Sequence, residues 1–317
     1  MNDRREEQAP QLPLVPLAHL DQLWFQVGGT LCNLECRHCF ISCSPRNRTF
    51  GFLRLQDVLP VLEEAAALGV KEFYYTGGEP FLNPDMVPIL EHTLRYGPAT
   101  VLTNATVLRQ QWLDRLARAE QDSLYSLEFR VSLDGFSPET NDPIRGPGTF
   151  QRTMRGVEQL VQAGFLPIIT ATRTWPLQQE AEVVGRFVEM LKQRGYLRPR
   201  LKILPTIHLG AEARRTRGYL PGERITPDML AHYDLNHLLC HRGRIVTDRG
   251  VYVCPLLIET PEARLGQRLQ EALGPFAVTH GACYTCYQHG AICSNPSGGE
   301  MLPSAGSPAS QSPSEQI

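Results

Sequence analysis

The sequence predicts an α/β fold, a partial (β/α)6 barrel of the TIM-like type, followed by a small C-terminal cysteine-rich α+β extension. Short apolar strands alternate with amphipathic helices from about residue 23 to residue 207. Polar and glycine-rich motifs stand where several of these strands end. The nine cysteines fall into two groups, four between residues 32 and 43 and five between residues 240 and 293.

The alternation gives about six strand–helix repeats. We predict strands at 23–31, 71–80, 99–106, 123–135, 166–174 and 199–207, and helices at 55–70, 86–97, 107–119, 149–165 and 180–195. Because a full barrel has eight units, an open or partial barrel is expected. In such a sheet, ligands gather at the carboxyl ends of the strands.

Beyond about residue 210 the alternation stops, which predicts a change of domain. We expect a lead-in at 1–20, a core domain at 21–220 and an extension at 221–295 with a short helix, a hairpin and the late cysteines. Residues 296–317 are rich in Pro, Ser and Gly, and this composition predicts a disordered tail.

Composition favours an ordinary globular protein, with 42% hydrophobic and 20% charged residues. A net charge of −2 gives no electrostatic case for a nucleic-acid or membrane partner. No apolar stretch approaches the roughly 20 residues of a membrane helix, and the charged N-terminus lacks a signal-peptide core. A cytoplasmic location is therefore expected, where reduced cysteines favour metal binding over disulfides.

The segment CNLECRHC places Cys32, Cys36 and Cys39 in one short loop. Three thiolates are too many for one disulfide and one too few for a closed tetrahedral site. In a cubane [4Fe–4S] cluster they would bind three irons and leave the fourth open to a small molecule. A structural zinc or a chance cluster of thiols is the alternative. Cys43 lies outside the triad, as a buried small residue or as a further part of the cluster.

CNLECRHC resembles the cysteine motif of radical S-adenosylmethionine (SAM) enzymes. The resemblance implies a [4Fe–4S] cluster that binds SAM through its amino and carboxylate groups and cleaves it reductively. The products are methionine and a 5′-deoxyadenosyl radical that abstracts hydrogen from a substrate. A reducing partner such as flavodoxin or ferredoxin is implied as well. His38 departs from the pattern, since many members have an aromatic residue there.

Further motifs occur in the order that this family has them. TGGEP, with Gly77, Gly78, Glu79 and Pro80, resembles the motif that holds the amino group of SAM. Its two glycines would let the backbone approach a ligand closely.

The other motif residues follow the next strands. The resemblance assigns Thr103 and Asn104 to the ribose and carboxylate of SAM, with capping of the next helix as an equal alternative. It also assigns Ser132 and Asp134 to the ribose hydroxyls, Arg145 to the SAM carboxylate, and Thr172 or Arg173 to a further polar contact.

In the second group, Cys240 and Cys254 flank a predicted hairpin, and Cys283, Cys286 and Cys293 follow as C-x2-C-x6-C. The arrangement resembles the SPASM and twitch extensions of radical SAM enzymes, which carry auxiliary clusters. Five cysteines are too few for a full SPASM pair, so one auxiliary [4Fe–4S] cluster on Cys240, Cys254, Cys283 and Cys286 is expected. Cys293 is spare or replaces one ligand, and a structural zinc remains the alternative.

These features predict an enzyme that modifies a peptide or a small molecule, with a net oxidation or crosslink assisted by the auxiliary cluster. A non-catalytic iron–sulfur or zinc protein for electron transfer or partner binding is the alternative, and a SAM-binding titration separates the two. Trp175, Lys202 and His208 are expected at the barrel mouth. Cys43 or Cys293 is the candidate for a catalytic hydrogen donor.

Overall fold

The computed structural model describes residues 11–290 and 292–293. The strands are β1 (Leu14–Val15), β2 (Gln22–Phe25), β3 (Glu72–Tyr75), β4 (Ala99–Thr103), β5 (Leu127–Ser132), β6 (Ile168–Thr172), β7 (Arg200–Leu204), β8 (Gly243–Thr247), β9 (Gly250–Tyr252), β10 (Arg264–Gly266) and β11 (Phe276–Ala277). The helices are α1 (Leu55–Ala67), α2 (Met86–Thr93), α3 (Gln110–Gln121), α4 (Pro138–Arg145), α5 (Thr149–Gln162), α6 (Glu180–Gln193), α7 (Gly210–Arg215), α8 (Pro227–Leu230) and α9 (Gly281–His289). The predicted tail at 296–317 lies outside the described residues.

Strands β2 to β7 are parallel and neighbour one another in chain order. Helices of the predicted repeats connect them, so the α/β fold with a partial TIM-like barrel is confirmed. The strands are shorter than predicted at the ends that carry the polar motifs. The first strand, for example, stops at Phe25, and the chain turns at residues 27–30 before the cysteines.

The strand residues alternate between two environments, as the period of a β-strand requires. One set packs with the helices in the main core, for example Phe25, Tyr75, Val101 and Val131. The alternate set faces the barrel interior, where it lines a cavity; its members include Trp24, Leu102, Arg130, Ser132, Thr170 and Lys202. The barrel therefore presents polar and basic side chains to its interior.

Helix α5 illustrates how the outer layer forms. Phe150, Met154, Val157 and Leu160 recur at a spacing of three and four residues, which places them on one face of the helix. All four are buried in the core that the strands share with the helices. Burial of this apolar stripe against the sheet stabilises the helix in its place.

The extension continues the barrel sheet beyond its first strand. Strand β8 pairs parallel to β2, and β9 and β10 follow antiparallel. The predicted hairpin is confirmed as β8 and β9, with Asp248 and Arg249 at the turn. Strand β1 in the lead-in pairs with β11 near the late cysteines. The division at residue 220 remains a prediction, since one sheet crosses it.

None of the helices in residues 11–290 is both long enough and apolar enough to cross a bilayer. The cytoplasmic location and the absence of nucleic-acid or membrane partners remain predictions.

Candidate active site

The loop that carries the first cysteines is fixed by the glycine motif after β3. The Gly78 amide donates to the Gly29 carbonyl at 2.9 Å, and the Glu79 amide donates to Leu31 at 3.0 Å. A Cβ at Gly78 would lie 2.0 Å from the Leu31 carbonyl oxygen, and Gly77 has a φ of +133°. The two glycines thus allow the cysteine loop of the same chain to pack closely against the TGGEP motif. The predicted contact of the motif with SAM remains a prediction.

Cys32, Cys36 and Cys39 line one cavity of about 210 Å³ at the carboxyl ends of the strands. The structure brings most of the predicted SAM contacts to the same cavity: Gly77, Gly78, Thr103, Asn104, Ser132, Arg145 and Thr172. Burial raises the pKa of Cys32 to about 12 and raises that of Cys36 against the opposing effect of Arg145. With raised pKa values these two thiols are protonated at neutral pH, so a metal that binds them has to displace their protons.

Cys43 lies beside the three cysteines in space, although it follows the CNLECRHC motif in the sequence. It lines the same cavity, and its amide donates to the Cys39 sulfur at 3.2 Å. Hydrogen bonds from Cys43 hold the pKa of Cys39 below its usual range, while those same bonds and burial raise the pKa of Cys43. Cys43 therefore stabilises the thiolate form of Cys39.

Glu79 is completely buried and joins the end of β3 to the end of β4. It accepts from Thr103 Oγ1 at 2.7 Å, from the Asn104 amide at 2.8 Å and from the Phe81 amide at 3.1 Å, where Pro80 begins a short 3₁₀ turn. Burial raises the pKa of Glu79, and these hydrogen bonds oppose the rise. Its carboxylate positions the two strand ends.

Asn104 connects β4 to the cysteine loop. Its Nδ2 donates to Asn33 Oδ1 at 2.9 Å and lies 3.8 Å from the Cys32 sulfur. The capping alternative for Thr103 and Asn104 is wrong, because α3 begins later, after Arg109. Asn104 thus orients the first thiol.

Asp134 holds two cavity residues in place. Its carboxylate lies 2.6 Å from Arg145 Nε and 2.9 Å from His38 Nε2, and it accepts from the Thr172 amide at 2.7 Å. Burial alone would raise the pKa of Asp134, but Arg145 and His38 hold it below its usual range. Arg145 Nη1 in turn lies 4.0 Å from the Cys36 sulfur. The sequence did not indicate the pairing of His38 with Asp134, and the predicted ribose contact of Asp134 remains a prediction.

The mouth residues proposed from sequence separate into two groups. Lys202 lines the cavity, and burial together with Arg130 lowers its pKa to about 7. Trp175 instead packs against Phe187, with ring centroids 6.4 Å apart. His208 meets Tyr219 edge-on at 5.5 Å.

The five late cysteines line a second, smaller cavity: Cys240, Cys254, Cys283, Cys286 and Cys293. Helix α9 carries the C-x2-C pair, which sequence reasoning had not assigned to a helix. Burial raises the pKa of Cys254 to about 11 and that of Cys240 to about 12. Cys293 lines both cavities, which the sequence did not indicate.

All nine cysteines are free thiols. Within the described part of the chain, no three His, Cys, Asp or Glu side chains form a group that could hold a single metal ion. A cubane makes no such demand, since each iron takes one thiolate. The first set, three thiols beside an open cavity, fits a cluster with one open iron; the second fits a cluster with thiolate ligands only.

The family model described as the radical SAM superfamily matches residues 27–191. The AdoMet-dependent heme synthase of Methanosarcina barkeri is 32% identical over 174 residues, 54% of this chain and 47% of that protein. The mycofactocin maturase MftC of Mycolicibacterium smegmatis is 27% identical over 257 residues, 72% of this chain and 62% of that protein. The chain thus spans about half to three fifths of these relatives.

The solved structure of Streptococcus suis SuiB bound to S-adenosylmethionine has the same fold. It gives a TM-score of 0.61 at 16% identity, over 81% of this chain and 64% of that one. SuiB bound to precursor peptide SuiA gives 0.61 at 14% identity, over 88% and 72%.

Proposed function

Because the chain belongs to the radical SAM superfamily, we propose that it cleaves SAM reductively and modifies a substrate by hydrogen abstraction. Cys32, Cys36 and Cys39 would hold a [4Fe–4S] cluster that supplies the electron and an open iron for the amino and carboxylate groups of SAM. The observation that carries this proposal is the convergence of the three thiols with Asn104 and Arg145 on one cavity. This convergence counts against the non-catalytic alternative, which has no need for the SAM motifs.

The residues around the thiols have distinct roles in this proposal. Asn104 would orient the Cys32 thiolate, and Arg145 would offset the charge of Cys36 and bind the carboxylate of SAM. Ser132, at the end of β5, can hydrogen-bond a ribose hydroxyl. Glu79 and Asp134 would act through the side chains they hold, since their oxygens are already engaged.

We propose further that Cys240, Cys254, Cys283 and Cys286 hold an auxiliary [4Fe–4S] cluster within an extension at 221–295, on a core at 21–220. Such a cluster would accept one electron from the substrate after hydrogen abstraction. In total the substrate would lose a hydrogen atom to the 5′-deoxyadenosyl radical, which becomes 5′-deoxyadenosine, an electron to the cluster and a proton to solvent. The result is a net oxidation or a crosslink. The shared wall at Cys293 supports this path between the cavities.

A peptide or a small molecule is the proposed substrate. SuiB, which is bound to a precursor peptide in its solved structure, and the mycofactocin maturase support a peptide. The heme synthase supports a small molecule. A flavodoxin or ferredoxin in the cytoplasm would supply the electron for SAM cleavage.

The test is reductive SAM cleavage by the anaerobically reconstituted chain. With dithionite and SAM, the protein should form 5′-deoxyadenosine and methionine in equal amounts, and omission of dithionite should stop both. Replacement of Cys32, Cys36 and Cys39 by alanine should abolish them. If the wild-type protein with a full complement of iron forms no 5′-deoxyadenosine, the proposal is wrong.

A further inference from the structure

We call the part of the cavity that is lined by Trp24, Arg130, Thr170 and Lys202 its floor. The floor is basic and aromatic. Trp24 of β2 stacks on Tyr74 of β3 at a centroid distance of 4.4 Å, and the Arg130 guanidinium lies 5.3 Å from the Tyr74 ring centroid. Across the sheet, Ser132, Thr170 and Lys202 are register partners on β5, β6 and β7. Arg130 stands two residues before Ser132, roughly 7 Å farther from the cysteine end of the strand.

Several hydrogen-bond donors at this floor lack an acceptor. Arg130 is only 3% exposed, and its Nη1 donates to the Cys293 carbonyl at 2.6 Å. Among residues 11–290 and 292–293, no hydrogen-bond partner is found for Arg130 Nη2, Thr170 Oγ1 or Trp24 Nε1. An unsatisfied buried donor is costly, more so when it is charged. A bound acceptor would remove this cost.

The charge of the cavity points the same way. The described residues that line it include two arginines and one lysine, Arg130, Arg145 and Lys202, and no Asp or Glu. Arg145 is matched by Asp134. The carboxylate nearest to Arg130 is Glu128 at 3.9 Å, which also binds Arg200 at 2.7 Å. The charge of Arg130 is therefore only partly offset by the carboxylate beside it.

We propose that the floor binds an anionic group of the substrate, a carboxylate or a phosphate, between Arg130 and Lys202. Thr170 adds a hydroxyl donor, and the indole of Trp24 lies on the same wall. This inference rests on the proposed function, because it takes the cavity above the floor as the place where SAM reacts. The methionine part of SAM would be bound nearer the cysteines, where Arg145 stands. An anchored anion would fix which carbon of the substrate faces the radical.

The probes are three small molecules that each carry one methyl group: acetate, methylphosphonate and neutral acetamide. Saturation-transfer NMR on the reconstituted full chain, with saturating SAM, measures their binding. The acetate or methylphosphonate signal should exceed that of acetamide, and the stronger of the two identifies the anion class. Arg130→Gln and Lys202→Gln should each weaken it about tenfold, because each removes a charged donor.

Exposed Arg155 and Lys192 offer matched controls. Arg155→Gln and Lys192→Gln remove the same charges and should leave the signals unchanged. Because Lys202 is only partly buried, Lys202→Gln keeps the test valid if Arg130→Gln unfolds, which a thermal melt would detect. Equal signals for acetamide and the anions, full signals in both floor variants, or loss of the anion signal when SAM is added would overturn the inference.

The SAM cleavage assay separates the two proposals. Anion binding without 5′-deoxyadenosine formation would contradict the proposed function and leave the anion site. SAM cleavage without anion binding would support the proposed function and contradict the anion site.

Discussion

Asp134 and Glu79 act on the site through the residues they bind. Each carboxylate is buried and has three partners, and those partners reach the cysteines: Arg145 lies near Cys36, and Asn104 lies near Cys32. Two acidic residues that sequence reasoning assigned to SAM are therefore placed to position the thiols.

The charge of Asp134 should be essential for the folded site. Asp134→Asn leaves the buried Arg145 without its counter-ion, and loss of one partner of a buried pair typically costs about 3–5 kcal/mol. Urea unfolding at pH 7, followed by circular dichroism, should show a loss of that order, whereas exposed Asp122→Asn should change the free energy of unfolding by less than about 0.5 kcal/mol. Equal stabilities of the two variants would contradict this role.

The sign of the pH effect follows from the lowered pKa of Asp134. Its stabilisation is complete above its unfolded pKa of about 3.9 and is lost as the pH falls below that value. Wild type and Asp134→Asn should therefore converge in stability toward low pH.

Gly78 tests the close approach of the glycine motif to the cysteine loop. In Gly78→Ala the new methyl group would overlap the Leu31 carbonyl, so the loop must shift, at a cost of about 1–3 kcal/mol. Iron bound after reconstitution should fall. Gly185→Ala on α6 meets open space and is the matched control. A Gly78→Ala protein with full iron content would show that the loop tolerates the shift.

At the scale of elements, Arg244 joins the hairpin of β8 and β9 to the chain segments that precede and follow it in the extension. This side chain is fully buried and donates to the carbonyls of Cys240, Gly243, Ala272 and Gly274 at 2.7–2.8 Å. Burial lowers its pKa to about 10, so it stays charged at neutral pH. Arg244 thus fixes the segment that carries Cys240.

Arg244→Met should disorganise the second cysteine set. Each buried carbonyl left without a donor costs about 1–3 kcal/mol, so the melting temperature and the iron bound by the second set should both fall. Exposed Arg268→Met is the control. The prediction fails if the Arg244 variant keeps the iron content and melting temperature of the control.

The order and type of the barrel elements could be predicted from sequence, because apolar strands and amphipathic helices have distinct periods. The hairpin at 243–252 followed from its turn residues. Its parallel pairing with β2 could not be predicted, since that contact joins residues more than 200 positions apart and no local pattern encodes it.

Only part of the site could be predicted from sequence, for the same reason. The cysteines and motif residues are local signals at strand ends. The basic floor is not, because Arg130 and Lys202 stand inside separate strands, and only the register of three strands brings them together. The pairing of His38 with Asp134 likewise depends on tertiary contact.

At the scale of the whole molecule, two cavities lined by cysteines share a wall. Cys293 and Leu256 line both, so the second set lies directly beside the chamber proposed for SAM. This proximity supports the proposed electron transfer from the substrate to the proposed auxiliary cluster. The proposed function requires one cluster on Cys32, Cys36 and Cys39 and a second cluster on the late cysteines, so each set should bind iron without the other.

Iron and sulfide content of the anaerobically reconstituted protein tests this requirement most directly. The account predicts about eight irons per chain, falling to about four when Cys32, Cys36 and Cys39 are replaced by alanine. Replacement of Cys240, Cys254, Cys283 and Cys286 should also leave about four. About four irons in the wild type, none in the first variant and zinc in the second set would contradict it.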